Sequence, residues 1–243
     1  MAHSLAQENP KIRVEYGPYT LRVRPKHAAR IAEVINAWSC VYFDLAMMFA
    51  HLLGSEGELA IQLFRSIQNE RTQHQMLEDA ARERLKGRER TICLRIVALA
   101  KAARKTRNAY AHGIWGHSDD LPDKILRVGA DDWLRGLAGV PTRAAKIGRG
   151  EIVGLLGPSL APSSVRVLSE RDMERDLERV LAPLKYTRVF WLIRDGRLLG
   201  FGGKMPRRAR ARVMRQLLGA PDLQAVDRQS PKGRPRRAPR SHP

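Results

Sequence analysis

The chain has 243 residues, enough for one large or two small domains with a hydrophobic core, and 43% of them are hydrophobic. Its 44 Lys and Arg against 25 Asp and Glu leave a net charge of +19, which points to a polyanionic partner. Lys and Arg gain by replacing the counterions condensed along phosphates. Cys40 and Cys93 are too few and wrongly spaced for a disulfide framework or a zinc site, which favours a reducing compartment.

The first ten residues carry no apolar signal segment, so the cytoplasm is the expected location, and residues 1–24 read as an irregular or extended arm. From Pro25 the apolar positions Ile31, Val34, Trp38, Val41, Leu45, Met48, Phe49 and Leu52 keep a helical rhythm until Gly54. The run 34–53 approaches membrane length, but Asn36, Asp44 and His51 interrupt it, so a core helix is expected and no membrane partner. Ser55 and Glu58 form a capping-box pattern that opens a shorter helix to about residue 67. A third helix over 69–86 turns Met76, Leu77, Ala80, Ala81 and Leu85 inward, and Gly87 stops it. A fourth begins near Arg88 with a core face of Ile92, Ile96, Leu99 and Ala103. Cys40 and Cys93 lie within these patterns and read as small buried hydrophobes.

Residues 118–168 change character. Short apolar runs at 125–128, 151–156 and 165–168 alternate with Gly, Pro and Asp, which suggests two or three strands. Ser169 and Asp172 mark a further helix with Met173, Leu177, Val180, Leu181 and Leu184 inward, kinked or interrupted at Pro183 before Phe190. The expected fold is mainly α: a four- to five-helix bundle over 25–203 with a small strand-containing insertion, about 118–168, before the last helix. From Lys204 onward twelve Lys and Arg face only Asp222 and Asp227, so +10 of the net charge lies in the last forty residues. A short basic helix fits 205–218, and from Arg228 onward the Pro- and Arg-rich chain should stay disordered; the segment as a whole is either a solubilising tail or an attachment for RNA or DNA.

The stretch that closes the fourth helix carries the best clue to chemistry. Arg107 is followed by Asn108 and, one helical turn later, by His112 and Gly113. Arg22 precedes His27 and Arg237 precedes His242 at the same interval, so the spacing alone is weak. Pro25 breaks the first of those copies and the second lies in the tail; only the middle copy follows an amphipathic helix. In that context the chain resembles the HEPN superfamily, small α-helical bundles whose signature is Arg, then Asn, Asp or His, a few residues, then His. The resemblance implies a dimeric, metal-independent endoribonuclease, or a degenerate relative that only binds nucleic acid or nucleotide. It implies Arg107, Asn108 and His112 as active-site residues, with no cofactor and no metal.

Those residue types suit RNA cleavage. A histidine exchanges protons near neutral pH and can take the proton of a 2′-hydroxyl. An arginine can hold phosphate oxygens bidentately and gains as charge develops, and an amide can orient either group. The product would be a 2′,3′-cyclic phosphate, and DNA would not be cut. Arg104, Lys105, Arg207, Arg208, Arg210 and Arg212 are the expected nucleic-acid contacts. On an ideal helix Arg107 and His112 are about 140° apart, so a homodimer that brings two motifs together is expected. The expected partners are RNA, a second copy of the chain and, for a toxin or defence effector, a cognate inhibitor protein.

Two other readings compete. The trio can be structural, with His112 on the last helix carbonyls, Gly113 left-handed, Arg107 paired with a carboxylate such as Asp44, and Asn108 on the surface. The chain would then be a non-catalytic module that binds nucleic acid or protein. The run from His117 to Asp120 looks like a ligand cluster, but adjacent residues rarely converge on one metal, and a turn is expected. The segment 148–151 lacks the Lys-Ser/Thr ending of a phosphate loop.

Overall fold

The computed structural model describes residues 2–9, 11–54, 57–138, 160–195 and 206–229. In chain order these form β1 (His3–Ser4), α1 (Leu5–Glu8), β2 (Glu15–Tyr16), α2 (Thr20–Val23), α3 (Pro25–Leu53), α4 (Gly57–Ser66), α5 (Glu70–Arg84), α6 (Gly87–Ala111), β3 (Ile114–His117) and β4 (Lys124–Val128). They continue as α7 (Ala130–Ala138), a 3-10 turn (Pro162–Ser164), β5 (Val165–Ser169), α8 (Glu170–Asp195), α9 (Arg207–Gly219) and α10 (Pro221–Gln229). The protein is mainly α with a small antiparallel sheet whose central strands precede the last helices. It divides into two compact units, 1–39 with 104–180 and 40–103 with 181–243, and the boundaries fall within α3, α6 and α8.

The first unit holds the sheet, in the order β1-β5-β4-β3-β2, every neighbour antiparallel. One face is apolar: Leu126, Val128, Val165 and Val167 are buried with Leu5, and Ile12, Val14, Tyr16 and Trp133 pack against them. Residues directly opposite one another in antiparallel strands share a face, so the pairs Trp115 with Arg127 and Arg127 with Arg166 set these three side chains in a row on the other face. The stretch 1–24 is therefore no loose arm; it supplies both edge strands and the buried Leu5. Two-residue strands carry no alternation of their own, and they exist because the sheet edge offers them hydrogen bonds. β4 and β5 lie where apolar alternation placed strands. β3 and α7 were not anticipated, and the expected strand at 151–156 lies outside the described residues.

The second unit is helical. Phe64 of α4 meets Tyr42 and Phe49 of α3 with ring centroids 5.7 and 5.5 Å apart. The buried Gln73 amide of α5 donates to the Tyr42 hydroxyl at 2.9 Å and to the carbonyls of Phe64 and Ile67 at 2.9 and 2.8 Å, which ties the α4–α5 turn together. Asn69 caps α5 by accepting from the backbone N–H of Arg71 and Thr72. Gly54 and Gly87 are both at positive φ; the first follows the end of α3 and the second opens α6 after the turn from α5. Ser55, proposed to open α4, lies outside the described residues.

α3 is long and apolar enough to cross a membrane by length and composition. Its apolar positions Val34, Trp38, Val41, Leu45, Met48 and Leu52 are all buried within the protein. Cys93 is buried and its thiol pushed up to about 12 by desolvation, but Cys40 is exposed rather than buried, on the outer side of α3. α8 runs unbroken through Pro183, whose carbonyl accepts from the Thr187 hydroxyl at 2.8 Å. The Ser169 and Asp172 pair expected at its start forms: Ser169 N–H and hydroxyl donate to the Asp172 carboxylate at 3.2 and 2.7 Å, and Asp172 N–H donates back at 3.3 Å. α8 is not the last helix. α9 lies where the short basic helix was expected and buries Met214 and Leu217; α10, which buries Leu223, was not anticipated, and residues 230–243 lie outside the described residues.

Candidate active site

The last turn of α6 sets the proposed trio. His112 N–H donates to the Asn108 carbonyl at 3.0 Å, keeping the two residues one turn apart as the helix ends. His112 is exposed, and Asn108 and Arg107 are half-buried. Arg107 donates from Nη1 to Asn108 Oδ1 at 2.8 Å. That bond fixes which way the Asn108 amide faces, with its oxygen toward the guanidinium and its NH2 directed away.

Gly113 does not take the left-handed conformation expected of a helix stop, since among the described residues only Gly54 and Gly87 have positive φ. It is small for another reason. A Cβ at this position would lie 2.7 Å from the Ala109 carbonyl oxygen and from Cγ and Cδ of Arg127. The missing side chain lets the Arg127 stem cross directly over the helix end. Nor does Arg107 pair with Asp44, which accepts from Arg188 Nε at 3.3 Å.

Arg127 is the group that sequence reasoning missed. Its guanidinium lies 5.2 Å from the Tyr110 ring centroid and 5.9 Å from that of Trp115, and the two rings meet edge to face at 5.5 Å. Burial pushes its pKa below the ordinary arginine value; the Tyr110 and Asp176 groups oppose that shift, and neighbouring Arg166 adds to it. Nη1 has no hydrogen-bond partner among the described residues. An arginine does not shed its proton at physiological pH, so this is a desolvated cation with an unused donor. Tyr110 donates to Asp176 Oδ2 at 3.1 Å, and burial together with that carboxylate raises the pKa of its hydroxyl. The available signal was an arginine placed midway in each apolar strand, Arg127 in 125–128 and Arg166 in 165–168.

Asn108 and His112 open onto a cleft of about 470 Å³ whose other walls include Arg127, Asp132, Ser164 and Arg166. Arg107 does not line it. A second cleft, of about 460 Å³, is lined by Lys105, Arg127, Arg166, Arg175 and Arg179 with Asp172 and Asp176. The two share Arg127 and Arg166. Arg175 pairs with Asp172 and Arg179 with Asp176, whereas among the described residues Lys105, Arg127 and Arg166 form no ion pair, although the Asp176 charge acts on Arg127.

The remaining predicted contacts are dispersed. Arg104 is half-buried on α6. On α9, Arg208 and Arg212 are exposed, while Arg210 is held by Glu89; Arg207 begins the helix. His117 to Asp120 ends β3 and enters a turn, with Ser118 buried and both aspartates exposed. Among the described residues no three His, Cys, Asp or Glu side chains are grouped as metal ligands. Comparison of the chain with protein-family models, curated proteins and solved structures finds no match.

Proposed function

We propose that this protein is a metal-independent endoribonuclease of HEPN type that binds an RNA phosphate in the cleft beside His112. The observation that carries the reading is that Asn108 and His112 share that cleft with Arg127 and Arg166. His112 takes the proton of the 2′-hydroxyl. The 2′-oxygen then bonds to phosphorus, the bond from phosphorus to the 5′-oxygen breaks, and that oxygen takes a proton from water, leaving a 2′,3′-cyclic phosphate and a 5′-hydroxyl. Arg127, already desolvated and short of a partner, meets the charge that grows on the phosphate oxygens. Asn108, oriented by Arg107, donates from its amide.

A guanidinium beside the imidazole thus comes from the same chain, and the separation of Arg107 from His112 no longer requires a second copy. A homodimer enters the proposal as an assembly to be measured by light scattering. The setting proposed is cytoplasmic, as a toxin or defence effector.

The alternative is a helical module that binds nucleic acid or protein without cutting. In its favour, among the described residues His112 is the only imidazole lining the cleft, and no second one stands there to protonate the leaving oxygen. Incubating purified protein with labelled RNA in EDTA and analysing the ends divides the two. Cyclic phosphate termini support the nuclease; intact RNA that is nevertheless retained supports the binder.

A further inference from the structure

Arg127 and Arg166 stand between two clefts, with the proposed catalytic groups on one side only. On the other side Lys105, on the exposed face of α6, is a third cation without a carboxylate partner among the described residues. Two guanidinium groups opposite each other on adjacent strands repel. An anion in the clefts they line relieves that repulsion. With Arg175 paired to Asp172, Arg179 to Asp176 and Arg135 to Asp132, the cations left over are Arg127, Arg166 and, in the cleft away from His112, Lys105, which a phosphate beside His112 would not use.

We propose that the cleft lined by Lys105 is a second phosphate subsite, which takes the phosphodiester next along the strand from the one at His112. The polynucleotide then crosses the saddle formed by Arg127 and Arg166, with Lys105 and Arg127 on one phosphate and Arg127 and Arg166 on the other. A strand with phosphates on both sides neutralises all three cations; an isolated phosphate leaves Lys105 or the His112 side empty. The inference rests on the cleft assigned above to RNA, but not on cleavage.

The test uses uncleavable, fluorescently labelled deoxynucleotides carrying one, two or three phosphates, with binding followed by anisotropy at several salt concentrations. Wild-type protein should bind the two-phosphate probe about tenfold more tightly than the one-phosphate probe, the scale of a charge-assisted hydrogen bond. Lys105→Ala should abolish most of that gain and flatten the salt slope by about 0.7. Arg166→Ala should weaken both probes. Arg71→Ala, which removes the same charge from exposed α5, should keep the gain. Equal affinity for one and two phosphates, or a gain that survives Lys105→Ala, would overturn the subsite. RNA left intact by a protein that still shows the Lys105-dependent gain would remove the nuclease and leave the subsite standing.

Discussion

Arg127 and Arg166 are paired directly across β4 and β5, two positive side chains on one face of a five-stranded sheet, with Arg127 half-buried and Arg166 exposed. Their juxtaposition opposes folding, and the phosphate proposed to bind there would offset it. Stability and function should therefore pull apart at this pair.

Arg166→Ala removes the repulsion without emptying a core position, since Arg166 is exposed. It should raise stability by about 0.2–1 kcal/mol at low salt, with the gain shrinking as salt screens the pair. The same substitution should weaken RNA binding. Urea midpoints at two salt concentrations check the first claim, and a destabilised variant with unaltered binding would contradict both.

His112→Ala should lower RNA cleavage by roughly 10²–10⁴-fold, the usual contribution of a positioned acid or base. Its exposure leaves little packing to lose, so the unfolding free energy should move by less than about 0.5 kcal/mol. Parallel loss of helical circular dichroism and activity would assign His112 to holding the helix end.

Gly113→Ala places a methyl 2.7 Å from the Arg127 stem and the Ala109 carbonyl. Something must move, at about 1–3 kcal/mol, and the mobile party is the arginine. Calorimetry should show a lower melting temperature, and cleavage should fall although no charged group has been touched. Wild-type activity in this variant would mean that Arg127 need not sit where it does.

His27 is buried with Nε2 unpartnered among the described residues, and desolvation lowers its pKa below the ordinary 6.5, with the Asp123 backbone and Glu170 opposing and Arg24 reinforcing the shift. The unfolded chain binds this proton more readily, so the stability contribution is complete above the unfolded value and is lost as pH falls through the folded one. His27→Gln should shrink the drop in melting temperature between pH 7.5 and pH 5.5. An unchanged or steeper drop would exclude His27 as its source.

Removing residues 230–243 takes away five Lys and Arg and no acid. RNA affinity should become less salt-dependent while cutting and melting temperature persist, because α9 and α10 with their buried Leu217 and Leu223 remain. Cutting at 204 instead would remove those side chains and confound charge with folding.

The long helices were legible because each buries a face at helical spacing: Ile92, Ile96 and Ala103 turned inward as their intervals required. β4 and β5 were legible from alternation. The edge strands at 3–4 and 15–16 were not, because their pairing depends on partners more than ninety residues away. Cys40 was misread, since a thiol in an apolar run cannot show which side of the helix it occupies. At the candidate site, local spacing could single out Asn108 and His112 because they lie one turn apart where α6 ends. It could not find Arg127 and Arg166, which meet only through strand register; Arg107, proposed beside Asn108 and His112, bonds to Asn108 and is not among the residues that line the cleft.

Apart from Ser164 and Arg166, the cleft around His112 is lined by one continuous stretch, 108–135. Helix end, β3, β4 and the start of α7 can come together by closing short loops, the fast part of folding. β5 must come from beyond residues 139–159. Arg127 acquires its like-charged neighbour only when that strand docks, so completion of the sheet and completion of the site are one late event in the life of the nascent chain.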